Sequence, residues 1–188
     1  MTESVTEVNS GLAHGQWTCN REVMPESADR ALAPEYAALR RLVFDASPDD
    51  IGLAPTPANP RVYAAVMDVG YEVGVATLVS IVDGTTSLYT SGGGGILGTG
   101  AQEDVAAATR VFVKETDAAL DSYLFTSDIG LPNEDQVILR ALTFGGPRAV
   151  GASVAELQTG SHPLSRVYAA AQLVINAVRL VDEAPDVQ

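Results

Sequence analysis

The amino-acid sequence predicts a mixed α/β domain: a three-layer α/β/α sandwich around a five-stranded, mainly antiparallel sheet. Three observations predict it. The segments at 62–67, 75–82 and 137–142 are apolar on both faces of a two-residue period. They are joined to their neighbours by short Gly-containing turns. Amphipathic helical stretches precede, interrupt and follow them. Short turns make neighbouring strands antiparallel, and an antiparallel sheet with one wet face should alternate apolar and polar residues. Helices on both faces remove that conflict.

Residues 1–32 are polar without a sustained period and read as an N-terminal tail or loose wrap, in which Trp17 is a docking anchor or an incidental surface residue, the anchor being favoured. Residues 33–182 form the single domain, and 183–188 are a polar C-terminal tail. The first helix starts near Pro34, a residue suited to a first turn. Tyr36, Leu39, Leu42 and Val43 are its apolar stripe, with Arg40 and Arg41 off it. Four prolines between Ser47 and Pro60 end it.

Three strands are expected next, at 61–69, 75–82 and 85–91. Asp83-Gly84 predicts a type I′ hairpin, which needs positive φ at both central positions. The strand at 85–91 is the most polar and reads as the sheet edge. Residues 91–100 then feed a helix over about 101–124, with Thr99 and Gln102 as a capping box. Residues 125–135 read as a loop, followed by strands at 136–144 and 148–157 around Gly145-Gly146-Pro147. A last helix follows Ser161-His162-Pro163, with Leu164, Val167, Tyr168, Ala171, Val174, Val178 and Val181 as its apolar stripe.

This element order, over about residues 34–182, resembles the roadblock family and its profilin-like relatives. There a helix precedes a strand hairpin, a second helix separates it from three more strands, and a last helix closes the fold. The sequence differs in showing three strand signals before the middle helix and two after it, and no motif is shared. The resemblance implies homodimerisation and a scaffold or GTPase-partner role rather than catalysis, and it carries over no functional residue.

Composition excludes some partners. The net charge is −13, with a single lysine, Lys114, and ten arginines. Nucleic acids are bound by neutralising phosphates with Lys and Arg, and anionic lipid attracts basic segments, so neither nucleic acid nor membrane is an expected partner. One cysteine, Cys19, makes no intrachain disulfide, and MTESVTEVNSGLAHG lacks a basic start and an apolar stretch. The expectation is a cytoplasmic, acidic chain.

The glycine segment carries the one ligand hypothesis. Gly93, Gly95 and Gly98 fit G-x-G-x-x-G, with Thr99 next, between a strand and a helix, where backbone amides can cradle a phosphate. Against it stand Glu103 and Asp104 at the helix start, the polar incoming strand, and the lack of a following lysine. His14, His162 and Cys19 have no metal-ligand spacing, and Asp128, Glu134 and Asp135 lack that of a calcium loop. Ser161 reads as a cap and His162 as a helix-start residue. Asp68, closing the first strand, and Glu72, in the next turn, could share a site as paired carboxylates or be solvated turn residues. Arg140 lies in an apolar strand and, if buried, needs a carboxylate or an interface partner. No catalytic residue, metal or cofactor is assigned. The expected function is a non-catalytic interaction or scaffold domain that pairs with itself, with small-ligand or phosphate binding at residues 92–100 as the alternative.

Overall fold

Strand β1 (Val62–Tyr71) is buried along all but its last residue, because its neighbours on both sides and its apolar residues on both faces leave nothing wet. It pairs antiparallel with β2 (Gly74–Ile81) through the Glu72-Val73 turn, and on its other side with β6 (Gln136–Thr143). The computed structural model describes residues 32–182. His14, Trp17 and Cys19 lie outside the described residues.

The sheet has seven strands, not five, in the order β4-β3-β2-β1-β6-β7-β5, every pairing antiparallel. The two additional strands are β4 (Gly95–Ile96) and β5 (Leu124–Phe125), each too short to leave a period-two signature. Strand β3 (Thr86–Thr90) is therefore interior rather than the edge: β4 folds back on it, and Thr86 and Tyr89 are buried. Its polarity has a local use. The Thr86 hydroxyl bonds Thr109 of helix α2 (Glu103–Ala118) and lies 3.5 Å from Ser80 of β2, so polar groups there are satisfied inside.

Residues adjacent in a strand point to opposite faces, and β1 supplies a core on each. Val62, Met67 and Val69 join one cluster with Val105 and Phe112 of α2 and Val167, Val174 and Val178 of α4 (Ser165–Asp182). Tyr63, Ala64 and Val66 join a second with Tyr36 of α1 (Pro34–Asp45), Val79, Tyr89 and Leu142. A fourth helix, α3 (Val154–Gln158), replaces the second half of the strand expected at 148–157. It starts where Ser153 caps the Glu156 N–H while Glu156 reaches back to the Ser153 N–H, a reciprocal pair that ends β7 (Arg148–Ser153).

Other boundaries shift for similar local reasons. Helix α2 begins at Glu103 with Gln102 before it, and the Thr99 hydroxyl donates to the Thr86 carbonyl instead of capping. It ends at Ala118 and a 3-10 turn leads into β5. Helix α4 begins at Ser165, two residues after Pro163. In the β2–β3 hairpin only Gly84 has positive φ (102°); Asp83 instead accepts the Thr85 N–H at 2.8 Å, an Asx-type turn.

Candidate functional site

Helix α1 lays Tyr36 and Arg40, four residues apart and so on one face, against β1, β2 and β6. Arg40 is buried, not off the stripe, whereas Leu42 is exposed. Beneath it Asp68 stands within β1, fully buried, with the strand continuing to Tyr71. Arg140 of β6 is buried beside it, opposite Val66 in register and on the face that Asp68 shares. The sequence expectation that a buried Arg140 needs a carboxylate is met by Asp68. Glu72 is exposed in the turn, about 13 Å of extended chain away. The Asp68–Glu72 pair is therefore not a site.

Both oxygens of Asp68 are engaged. Arg40 Nη1 donates to Oδ1 at 2.7 Å, Thr77 Oγ1 donates to the same oxygen at 2.6 Å, and Arg140 Nη1 donates to Oδ2. Thr77 has one proton and gives it to Asp68, so the Tyr36 hydroxyl, 2.9 Å away, donates to Thr77. The remaining guanidinium edges reach the segment between β5 and β6: Arg40 Nη2 donates to the Ile129 carbonyl at 2.6 Å and Arg140 Nη2 to that of Gly130. The Phe44 ring lies 5.0 Å from the Arg40 guanidinium carbon and 5.6 Å from that of Arg140.

Two cations thus share one buried anion. Burial works against the charge of each. For Arg40, burial is the largest single influence and lowers the pKa, but Asp68 with Tyr36 and Tyr89 together hold it above the ordinary arginine value. For Arg140, burial wins and its pKa falls below the ordinary value, Asp68 opposing and Arg40 adding to the fall. Arginine starts high enough that both stay charged. Burial also raises the Tyr36 and Tyr89 phenols. The Tyr89 hydroxyl and Arg140 Nε have no hydrogen-bond partner among the described residues. An Asp held this way is a buried counter-ion whose two oxygens are taken up by three donors of the fold.

The glycine segment divides. Gly93 and Gly95 line a cleft of about 210 Å³ together with Glu35, Tyr36, Leu39, Tyr89 and Leu97. Gly98 and Thr99 lie outside it, in the 3-10 turn before α2. Gly95 is required by packing, since a Cβ there would sit 2.6 Å from the Leu88 carbonyl oxygen and from Tyr89 Cβ. The Gly93 N–H is already given to the Thr90 carbonyl, and the Glu35 carboxylate stands 3.0 Å from where a Gly93 Cβ would be. The cleft offers a carboxylate where a phosphate cradle needs free amides.

Among the described residues, no group of three or more His, Cys, Asp and Glu could hold a metal ion, and no helix is long and apolar enough to cross a membrane. Ser161 is exposed and bonds Thr159, and His162 Nδ1 accepts the Leu164 N–H ahead of α4. The apolar residues of α1 alone leave Arg40 off its buried face. The signal was its i+4 spacing from Tyr36, read together with a charged residue inside an apolar strand. Compared with known proteins, the chain matches no family model, no curated protein and no solved structure. The class that fold and site define is a mixed α/β domain with a seven-stranded antiparallel sheet and a buried Arg-Asp-Arg cluster.

Proposed function

We propose that this domain is a non-catalytic protein-interaction module that pairs with a second copy of itself along strand β5. The observation that carries it is the chemistry of that sheet edge. Leu124 and Phe125 are 60% and 66% exposed, and Ile129 follows, also exposed. Sheet edges that must stay single are blunted by shortness, charge, proline or a bulge; β5 is only two residues long and the Arg148 guanidinium lies 3.9 Å over the Phe125 ring, yet it presents two large apolar residues beside an outward row of backbone groups. Two β5 strands meeting about a two-fold axis make an isologous, closed contact. Asp68, spent on its two arginines, supports the non-catalytic part.

The two core clusters support a three-layer α/β/α arrangement, with α1 on one side of the sheet and α2 and α4 on the other. A roadblock-like reading draws support from β5, which makes three strands after the middle helix. A cytoplasmic location fits a chain with one cysteine.

Light scattering of the full chain over a concentration series tests the self-pairing. The expected result is a dimer that Phe125→Lys converts to a folded monomer, with a melting temperature that rises with concentration for wild type and not for the variant. A wild-type monomer at all concentrations overturns it. The cleft beside Gly93 and Gly95 favours a second reading, a small-ligand site. Its 210 Å³ is below the usual range of about 300–1,000 Å³, and Glu35 selects a cationic or neutral ligand over a phosphate. A thermal-shift screen with amines, phosphosugars and nucleotides decides it, since a ligand of the native state must raise the melting temperature.

A further inference from the structure

The segment between β5 and β6 crosses the Arg-Asp-Arg cluster with little else to hold it. Residues 127–130 make no backbone–backbone hydrogen bond to the rest of the domain among the described residues. Their own bonds are local: the Asp128 N–H donates to the Thr126 hydroxyl and the Gly130 N–H to the Asp128 carboxylate at 2.7 Å. Ser127, Asp128 and Ile129 are exposed and Gly130 is half-buried, so this strap buries little apolar surface of its own. It is fastened at its ends, where the Thr126 N–H meets the Pro147 carbonyl and Pro132 is buried. In its middle the two guanidiniums are its hydrogen-bond anchors.

The groups beneath the strap are mismatched to it in charge and in number. Arg40 and Arg140 share the single carboxylate of Asp68, which leaves one positive charge in excess. Against it the strap sets two neutral carbonyls, and the exposed Asp128 is the other carboxylate that bears on Arg140. Nε and Nη2 of a guanidinium form one edge with two parallel N–H groups, a fork that grips two oxygens of one anion. On Arg140 the Gly130 carbonyl takes Nη2, while Nε is buried with no partner among the described residues. Arg40 Nη2 meets the same strap one residue earlier, at the Ile129 carbonyl. Asp68 holds the Nη1 atoms, and the Phe44 ring lies 5.0 and 5.6 Å from the two guanidinium carbons. The donors are thus held in place by contacts that do not involve the strap.

From the half-filled edge of Arg140 and the surplus positive charge we infer that the cluster is an oxyanion site closed by the strap, where a small free oxyanion of the phosphate or carboxylate class displaces the Ile129 and Gly130 carbonyls. Two of its oxygens fill the Nε–Nη2 edge of Arg140, and a phosphate has a third for Arg40 Nη2. Hydrogen bonds to an ionised acceptor are roughly twice as strong as those to a neutral one. Lifting residues 127–130 exposes little apolar area in return, so the exchange favours the anion. Asp128 leaves with the strap, having competed with the ligand for the same cations. Neither the interaction-module reading nor the β5 pairing is needed for this site.

The test titrates the full chain, labelled with nitrogen-15, with sodium phosphate, with sodium acetate, and with sodium chloride at matched ionic strength. Expected are saturable shifts in residues 126–133 and in the side-chain N–H signals of Arg40 and Arg140. Order parameters of residues 127–130 should fall at saturation from the rigid value of about 0.85 to below about 0.6, while the melting temperature rises, as it must for a ligand of the native state. Tighter binding of phosphate than of acetate assigns the phosphate class, and the reverse the carboxylate class. Arg140→Lys keeps a charge on Asp68 but lacks the edge, and should weaken binding about tenfold or more. Asp128→Asn keeps an acceptor for the Gly130 N–H and loses the competing charge, so it should tighten binding about two- to fivefold. Its position is exposed, so it tests the site even where Arg140→Lys does not fold. An equal response to chloride, shifts centred on Gly93 and Gly95, an unchanged strap at saturation, undiminished binding by folded Arg140→Lys, or no tightening by Asp128→Asn each overturns the inference.

Discussion

Arg140 and Asp68 are not directly opposite one another in the sheet. Arg140 faces Val66 and Asp68 faces Ile138, so the ion pair runs diagonally across β6 and β1 on the face that α1 covers. The diagonal leaves room for Arg40 to enter from the helix and take the other carboxylate oxygen. One anion thereby joins two strands, a helix and, through the Ile129 and Gly130 carbonyls, the segment leading into β6. Removing one partner of a buried ion pair is far costlier than replacing the whole set with apolar groups, because it strands an uncompensated charge.

Asp68→Asn leaves two buried guanidiniums without a counter-charge. It is expected to lower unfolding free energy by about 3–5 kcal/mol. The triple variant Arg40→Met/Asp68→Leu/Arg140→Met should lie closer to wild type than the single one. It should also speed amide exchange in residues 126–133, whose two carbonyl anchors are lost. Urea denaturation with exchange mass spectrometry measures both. A triple variant less stable than Asp68→Asn contradicts the account.

The two tyrosines above this cluster should respond oppositely to loss of the hydroxyl. Tyr36 donates to Thr77, so Tyr36→Phe is expected to cost about 1 kcal/mol. The Tyr89 hydroxyl is buried without a hydrogen-bond partner among the described residues, so Tyr89→Phe should be neutral or stabilising. Burial raises both phenols above their ordinary pKa of 10.0. A raised folded-state value means the stability is whole below pH 10 and falls as pH rises from there towards the folded pKa, since only the unfolded chain ionises. Tyr89→Phe should therefore lessen the alkaline loss of stability, measured as urea midpoints at pH 9 and pH 11.

Glycines separate into those fixed by neighbours and those fixed by backbone angle alone. A Cβ on Gly70 would run into the Asn133 carbonyl, where the segment into β6 crosses the end of β1. Gly70→Ala should cost about 3 kcal/mol or more, because backbone must move. Gly94 has open space around it but φ of 78°, so Gly94→Ala should cost only about 1–2 kcal/mol. Thermal unfolding of the two variants ranks them, and the reverse order refutes the contact.

The sequence showed what burial writes in long periods and hid what short contacts decide. β1, β2 and β6 were legible because each carries a run of apolar residues. β4 and β5 have two residues each and no period, so the sequence makes an edge of β3, which β4 covers. Arg140 in an apolar strand asks for a carboxylate, yet Asp68 reads as a strand end because Gly70 and Tyr71 look like turn residues, and β1 runs on through both. The cluster's third member depends on how α1 turns over the sheet, which a stripe of hydrophobics alone does not determine. The glycines were visible, but not that a carboxylate from α1 stands over them.

Strand β7 ends where Ser153 and Glu156 exchange hydrogen bonds, and the stability this turn contributes is expected to vary with pH. The Ser153 N–H and hydroxyl donate to the Glu156 carboxylate at 3.0 and 2.7 Å and hold its pKa below the ordinary value. A lowered folded-state pKa means the contribution is present above the unfolded value, about 4.3, and is lost as pH falls through the folded one. Glu156→Gln should thus be less stable than wild type at pH 7, with the gap closing below pH 4. Ser153→Ala, which removes the cap itself, should cost about 1 kcal/mol at neutral pH and still show a deficit at pH 3, since the Glu156 N–H loses its acceptor at every pH. Urea midpoints of the three proteins at pH 7 and pH 3 measure this. A Glu156→Gln deficit that persists unchanged at pH 3 would show that the carboxylate's charge has no part in holding the turn.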